Sequence, residues 1–279
     1  MASYRVVCSL ALLLITIPAS RAMLDSHYYD QTCPQAEAII LQTVRNASIY
    51  DPKVPARLLR MFFHDCFIRV SVRSFYVIDD AKAKLEMACP QTVSCADVIA
   101  IAARDVVTMS GGPSWDVLKG RKDGRVSKAS DTINLPAPTF NVSQLIQSFA
   151  KRALGVKDLV ALSGGHTLGF SHCSSFQNRI RNFSSMHDVD PNMNLQLAEV
   201  LRKKCRKPHT DRSAGTFLDS TSSIFDNEYF RQLTQGKGVF GSDQALFIDD
   251  REFAASMVKL GNVGVIEKGE VRLKCASVN

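Results

Sequence analysis

The stretch Asp158-Leu-Val-Ala-Leu-Ser-Gly-Gly-His166-Thr167 joins an apolar helical turn to two glycines and a histidine. Glycine has no Cβ, so the glycine pair allows the backbone to pack closely against a neighbour. An imidazole that follows such a turn can serve as an axial ligand of a metal or of a haem iron. The alternative, which we favour for an isolated motif, is a core histidine satisfied by a backbone carbonyl.

A second motif is Arg60-Met-Phe-Phe-His64. Residues four apart share one face of a helix, so Arg60 and His64 are expected to project into one pocket beside the ring of Phe63. An imidazole exchanges protons near neutral pH, and a permanently charged guanidinium stabilises a departing oxygen anion. The pair therefore fits heterolysis of an O–O bond, although the same spacing is more often a solvated helix face.

A third cluster contains Asp219, Thr221 and Asp226, with hydroxyl and backbone oxygens around them. Oxygen-rich loops suit calcium, which takes six to eight oxygen ligands. The alternative is an ordinary polar loop, since no EF-hand spacing is present.

Apolar residues recur at helical spacing along most of the chain, whereas alternating strand patterns are scarce and short. Ser94 is expected to cap one helix, with Asp97 three residues on as a variant capping box, and Gly155 is expected to stop another. The fold class is therefore all-α, with about ten helices joined by Pro- and Gly-marked loops. The clearest helical segments are 38–44, 54–62, 98–106, 145–154, 195–205, 228–234 and 252–260.

Residues 1–22 have the layout of a secretory signal peptide, with Arg5 before an apolar run at 6–17 and cleavage expected after Ala22. The alternative, a membrane anchor, is disfavoured because the run is short for a bilayer. No other stretch is apolar enough to cross a membrane, and no linker or repeat divides residues 23–279, so we expect one secreted domain. Asn46, Asn141 and Asn182 begin glycosylation sequons, which in a secreted protein suggest surface loops and predict a glycoprotein.

Removal of the signal peptide deletes two arginines and no acidic residue, so the net charge falls from +7 to +5. This mild excess suits a protein that lives among acidic polymers. No basic stripe interleaved with aromatic residues is present, so nucleic acid is not an expected partner. Cys8 is also removed, and an odd number of cysteines remains, which predicts disulfides with one thiol left over.

Together the motifs resemble the class III secretory plant peroxidases along nearly all of the mature length. This resemblance implies a haem peroxidase fold, with haem b between distal and proximal halves, in a protein that is expected to be a monomer. The matching stretches are Tyr28-Tyr-Asp-Gln-Thr-Cys-Pro34, Arg60-Met-Phe-Phe-His-Asp-Cys-Phe67, Thr92-Val-Ser-Cys-Ala-Asp-Val98, Gly111-Gly-Pro-Ser-Trp115, Asn134-Leu-Pro-Ala-Pro138, Leu162-Ser-Gly-Gly-His-Thr167, Phe225-Asp-Asn227 and Gly241-Ser-Asp-Gln-Ala-Leu246.

The resemblance assigns a role to each matching residue. His166 corresponds to the proximal haem ligand, His64 to the distal acid–base and Arg60 to the arginine that polarises the O–O bond. Phe63 corresponds to the aromatic residue over the haem, and Pro136 to the arm where phenolic donors dock. The implied mechanism is oxidation of the haem by hydrogen peroxide, followed by two one-electron reductions by phenolic donors.

The resemblance also implies ligands and disulfides. The proximal calcium ligands would be Thr167, Asp219, Thr221, the Ile224 carbonyl and Asp226, although the loop between Asp219 and Thr221 is one residue shorter than the family pattern. The implied disulfides are Cys33–Cys89, Cys95–Cys275 and Cys173–Cys205.

Two regions are shorter than the family pattern, near 68–72 and 245–250. The first lacks the disulfide partner of Cys66 and the asparagine that holds the distal histidine. It keeps only Asp65 and the Ile68 carbonyl of the distal calcium site, too few for calcium. The second gap is placed after Gln244 and is expected to remove a helix and the carboxylate that orients the proximal histidine, unless Asp249 or Asp250 replaces it.

The leading hypothesis is a secreted haem peroxidase that uses hydrogen peroxide to oxidise phenolic donors, in lignin or wall cross-linking, peroxide removal or the oxidative stress response. Its destination would be the extracellular space or the cell wall, with the vacuole as the alternative, and acidic wall polysaccharides are candidate partners. The second hypothesis is a catalytically impaired splice form or wall-binding protein with the same fold. A zinc hydrolase is disfavoured because the chain has no His-Glu-x-x-His motif.

Overall fold

The computed structural model describes residues 24–68, 75–126, 130, 133, 135–206, 211, 213–246, 251–266 and 269–279. The predicted signal peptide at 1–22 lies outside these ranges, as do Asp249 and Asp250. Within them no helix combines the length and the apolar composition that a bilayer crossing requires.

The described chain folds almost entirely into helices, which confirms the all-α prediction. A two-stranded antiparallel sheet pairs β1 (Phe170–His172) with β2 (Gly215–Phe217). The helices are α1 (Ala36–Tyr50), α2 (Val54–Ile68), α3 (Phe75–Ala88), α4 (Cys95–Met109), α5 (Val142–Ala150), α6 (Val156–Ser163), α7 (Gln177–Ile180), α8 (Leu195–Lys204), α9 (Glu228–Thr234), α10 (Gly241–Gln244) and α11 (Arg251–Gly261).

Helix α4 runs through the core and packs against α2 and α1. Its start follows the sequence prediction in part, because Ser94 Oγ accepts a hydrogen bond from the Asp97 amide at 3.2 Å. The reciprocal half of the capping box is absent. The buried Asp97 carboxylate instead accepts hydrogen bonds from Tyr29 Oη at 2.6 Å and from Arg121 Nη1 at 2.9 Å. The Asp97 carboxylate therefore links the N-terminal segment to the core and does not accept the hydrogen bond from the Ser94 amide that a capping box requires.

The prediction that one helix continues through Leu154 to a stop at Gly155 is wrong. Helix α5 ends at Ala150, and Ala153 adopts a φ of 56°, in the left-handed region that a helix cannot continue through. Gly155 begins the next helix, α6, where its amide donates to Asp158 Oδ2 at 2.8 Å. A turn at 151–154 thus occupies the residues that the apolar periodicity had assigned to the end of the first helix.

The structure forms all three disulfides that the family resemblance implied, Cys33–Cys89, Cys95–Cys275 and Cys173–Cys205. In the part of the chain that the structure describes, Cys66 is the one cysteine outside a disulfide. The odd cysteine count had predicted such a thiol.

Candidate active site

Helix α6 delivers His166 through a short 3₁₀ helix, Gly164–Thr167. A Cβ on Gly164 would lie 3.1 Å from Phe230 Cζ, and a Cβ on Gly165 would lie 3.4 Å from Leu59 Cδ2. A side chain at Gly164 would therefore press on the Phe230 ring of α9, whereas one at Gly165 would make ordinary contact with Leu59 of α2. The glycine at 164 lets the segment that carries His166 pack closely against α9.

The ring of His166 is held by a buried carboxylate. His166 Nδ1 lies 2.9 Å from Oδ1 of Asp243, whose side chain is 3 % exposed, while 42 % of the histidine side chain remains exposed. Burial lowers the pKa of His166, but the charge of Asp243 and its hydrogen bond raise it by more, so the net shift is upward. Because Asp243 accepts from Nδ1–H, Nε2 is left as the nitrogen with a free lone pair.

The partner of His166 corrects one sequence prediction. We expected the orienting carboxylate to follow Gln244, with Asp249 or Asp250 as a replacement. Asp243 instead precedes the second shortened region, on the single-turn helix α10. The residue was overlooked although it lies inside the matching stretch Gly241-Ser-Asp-Gln-Ala-Leu246, and that stretch was the signal that could have identified it.

On α2, Arg60 and His64 contact each other as their spacing predicts. Arg60 Nε donates to His64 Nε2 at 3.1 Å. Burial, and then the nearby charge of Arg60, lower the pKa of His64 to about 4. His64 is therefore a neutral imidazole at physiological pH, with the Nε2 lone pair directed toward the guanidinium. Phe63, beside it, stacks on Phe67 with ring centroids 4.2 Å apart.

His166 lies within electrostatic range of Arg60. The positive charge of Arg60 is close enough to His166 to lower its pKa, although by less than Asp243 raises it. The contact between Gly165 and Leu59 places the two segments against each other immediately beside these two residues. The oriented imidazole of His166 and the Arg60–His64 pair of α2 thus lie in the same region of the fold.

The residues of the third motif also come together, directly after His166. Thr167 Oγ1 lies 2.7 Å from Asp219 Oδ2, 3.3 Å from Asp226 Oδ1 and 3.4 Å from the Ile224 carbonyl oxygen. Thr221 Oγ1 lies 3.0 Å from Asp226 Oδ1. The loop that is shorter than the family pattern therefore still places Thr221 in the cluster.

The cluster concentrates negative charge in a partly buried place. Burial raises the pKa of Asp219 to about 6, and repulsion from Asp226 and Glu228 adds to the shift, against hydrogen bonds from Thr167 and Thr221. A hard cation with oxygen ligands would offset this repulsion. Two carboxylates, two hydroxyls and a carbonyl form a donor set that fits calcium.

The other predicted site residues lie at the margins. Pro136 is half-buried, and two residues later the Pro138 carbonyl accepts from the Ser242 amide at 3.1 Å, which ties this segment to α10. Asp65 and Ile68 lie in the last turns of α2. Within the described ranges, no three His, Cys, Asp or Glu side chains form a group that could hold a metal ion.

Comparisons with known proteins agree with this geometry. The family model described as "Peroxidase" matches residues 69–262. Peroxidase 66 of Arabidopsis thaliana is 62 % identical, with 95 % of each chain covered. Peroxidase 64 of the same plant is 45 % identical, over 96 % of this chain and 97 % of the relative. Peroxidase 1 of Oryza sativa subsp. japonica is 39 % identical over the full length of both. The chain therefore belongs to the peroxidase family and is a plant class III peroxidase, an oxidoreductase from a family of haem enzymes.

Proposed function

We propose that this peroxidase binds haem b through Nε2 of His166 and activates hydrogen peroxide with His64 and Arg60. The observation that carries the proposal is the His166–Asp243 hydrogen bond, which leaves Nε2 as the ring nitrogen with a free lone pair, within electrostatic range of Arg60. When bound, haem would supply the redox chemistry: it gives up two electrons to peroxide and regains them, one at a time, from two phenolic donors.

Each of the residues around the cofactor has a separate proposed role. Asp243 keeps the ring of His166 in one orientation and makes Nε2 a stronger ligand. His64, neutral and unprotonated at Nε2, takes the proton from one peroxide oxygen and returns it to the other, which leaves as water. The Arg60 guanidinium stabilises the negative charge that develops as the O–O bond breaks. Phe63 presents its ring beside these two residues.

Calcium is proposed as the second cofactor, at the cluster of Thr167, Asp219, Thr221, Ile224 and Asp226. The convergence of their oxygens, together with the raised pKa of Asp219, supports this assignment. Thr167 follows His166 directly, so a cation here would stiffen the segment that carries the proximal ligand. A distal calcium site is not proposed, because Asp65 and the Ile68 carbonyl supply too few ligands.

Hydrogen peroxide and small phenolic donors are the substrates that the family implies, and we propose that donors approach along the segment with Pro136.

We further propose secretion to the extracellular space or cell wall, with cleavage after Ala22. The mature protein would be a monomer whose basic surface contacts acidic wall polysaccharides. Asn46, Asn141 and Asn182 are exposed, which supports their glycosylation. The vacuole is the alternative destination.

We also propose that the domain at 23–279 is internally shortened near 68–72 and 245–250. The alignment with Peroxidase 66 runs over 307 positions, more than the 279 residues of this chain, so the relative carries segments without a counterpart here. We do not favour a catalytically impaired splice form or a wall-binding protein. The hydrogen bonds between Arg60 and His64 and between His166 and Asp243 support an active enzyme instead.

The test is to express residues 23–279 with haem and calcium, record the Soret band and assay guaiacol oxidation with peroxide. The proposal expects a Soret band and turnover that both require added haem. A protein that takes up no haem contradicts the role of His166. Haem uptake without turnover favours the impaired form.

A further inference from the structure

The C-terminal turn of α2 makes an unusual contact with the turn that follows α5. Arg152 Nη2 donates to the Phe67 carbonyl oxygen at 2.9 Å, and the guanidinium carbon lies 4.0 Å from the centroid of the Phe67 ring. Arg152 Nη1 also donates to the Ser148 carbonyl at 3.1 Å, which anchors the guanidinium to the end of the preceding helix, α5. One arginine thus joins the ends of two helices.

The contact satisfies backbone groups at the C-terminal end of α2. The last carbonyls of a helix have no partner within it, and they carry the negative end of the helix dipole. Basic side chains near a helix C-terminus satisfy both demands. Arg152 is half-buried and forms no ion pair with the acidic residues in the described ranges, and burial lowers its pKa. Its charge is therefore directed at the helix end and at the ring instead of at a carboxylate.

The contact continues into the distal pocket through stacked rings. Phe67 is buried and stacks on Phe63, one helical turn earlier, at 4.2 Å, and Phe149 of α5 packs edge-on against Phe67 at 5.4 Å. His64 is the next residue after Phe63. Across the residues that the structure describes, its ring receives one hydrogen bond, from Arg60. The orientation of His64 consequently depends on how firmly this turn of α2 is packed.

We propose that Arg152 is a positioning residue for the distal pocket: it caps the C-terminal end of α2 and, through Phe67 and Phe63, fixes the turn that carries His64. This inference rests on the role proposed for His64 above. It adds a residue from the turn after α5 to a pocket whose other proposed members, Arg60, Phe63 and His64, lie on α2.

The test compares three variants with the wild-type protein. Arg152→Met keeps the apolar stem and removes the donor and the charge, while Arg152→Lys keeps the charge and a donor but loses the planar group over the ring. Lys151→Met, at the exposed neighbour, is the matched control. Amide hydrogen exchange of the haem-free chain, resolved by peptide, reports on α2. Stopped-flow kinetics of the haem-loaded enzyme separate the reaction with peroxide from the oxidation of the donor.

For Arg152→Met we expect exchange in the last turn of α2 to rise about tenfold, as the loss of one charge-assisted hydrogen bond predicts. We expect exchange at the start of α2 to stay unchanged, the peroxide rate to fall and the donor rate to be kept. Arg152→Lys is expected to restore part of both effects, and Lys151→Met to show neither.

Unchanged exchange in the last turn of α2 overturns the proposal. Faster exchange with an unaltered peroxide rate overturns it too, because Arg152 would then only stabilise the helix. If Arg152→Met unfolds the protein, amide exchange rises in every helix. The exchange and the peroxide rate of Arg152→Lys then decide whether the proposal holds. Since exchange is measured without haem, failure of the proposed function remains distinguishable from failure of this contact.

Discussion

His166 Nδ1 and Asp243 Oδ1 lie 2.9 Å apart, although 77 positions separate the two residues along the chain. The carboxylate comes from a single-turn helix, and its Oδ1 faces the ring whose Nε2 is proposed to bind iron. The pair is the part of the site on which the ligand strength of His166 depends.

Asp243→Asn is expected to weaken this ligand. The amide carries no negative charge, so His166 becomes less basic, and changes of this kind cost ten- to a hundredfold in affinity or activity. The measurement is the rate at which haem transfers from the protein to excess apomyoglobin, together with the iron reduction potential, which we expect to rise. Asp188→Asn, at an exposed carboxylate, is the control. Equal transfer rates for both variants would contradict the role of Asp243.

The reaction with peroxide is expected to lose activity only in acid. Burial and the charge of Arg60 lower the pKa of His64 to about 4, so the neutral base persists down to that pH and is lost below it. The second-order rate constant with peroxide is therefore expected to be flat above about pH 5 and to halve near pH 4. His64→Ala is expected to lower the plateau by about 10²- to 10⁴-fold, while His187→Ala, at an exposed histidine, leaves it unchanged. A midpoint near pH 6.5 would contradict the lowered pKa, because it is the midpoint expected for a histidine in water.

Removal of calcium is expected to lower the melting temperature. A ligand present at a hundred times its Kd stabilises the folded state by about 2.7 kcal/mol, and a chelator abolishes this contribution. Asp219→Asn removes one of the two carboxylates from the cluster, so the variant is expected to show a smaller loss of melting temperature on addition of EGTA. Glu199→Gln, on the exposed face of α8, is expected to behave as the wild type. A wild-type melting curve that does not respond to EGTA would count against the site.

Tyr229→Phe is expected to stabilise the protein or leave its stability unchanged. The Tyr229 hydroxyl is buried and makes no hydrogen bond of good geometry in the described structure, although it lies close enough to Asp243 for a weak interaction. Burial, followed by the charge of Asp243 and this interaction, raises the pKa of Tyr229 well above 10. An unsatisfied buried hydroxyl costs about 1–3 kcal/mol, and phenylalanine keeps the ring that packs 6.1 Å from the His166 ring. Urea unfolding of the haem-free protein measures the change. A clear loss of stability would show that the hydroxyl has a partner.

One thiol per mature chain is expected in a denaturing Ellman assay, at Cys66. In the native protein its reaction is expected to be slow, because burial raises the pKa of this thiol and leaves little thiolate. Peptide mass spectrometry identifies the labelled residue. The absence of a reactive thiol, or the labelling of a different cysteine, would contradict this assignment.

The roles of Arg60, His64 and His166 were assigned through the resemblance to class III peroxidases, since each local pattern alone has a more common structural explanation. The helical spacing of Arg60 and His64 and the glycine pair before His166 are visible without any tertiary information. Asp243 was missed because its role depends on a contact over 77 positions and on a helix of one turn. No periodicity signals such a helix.

The fold was predicted in class but not in every boundary. Helix α3 was not predicted, because its buried face includes Lys82, whose ammonium is satisfied by the Val93 carbonyl and by Glu86. A lysine interrupts the apolar pattern that identifies a buried helix. The turn after α5 was missed for the opposite reason, because Leu154 continues the apolar spacing although the backbone has already left the helix at Ala153.

The Cys95–Cys275 disulfide joins residues 180 positions apart, whereas Cys33–Cys89 spans 56. Synthesis runs from the N-terminus, so the shorter loop can close while most of the chain is still unmade, and Cys95 has to wait for nearly the last residue. Throughout that interval Cys66, which has no partner in the finished fold, stands in sequence between Cys33 and the waiting Cys95. In the oxidising compartment that the proposed secretion implies, Cys66 is thus a further thiol that can compete with Cys33 and Cys89 for oxidation before Cys275 is made.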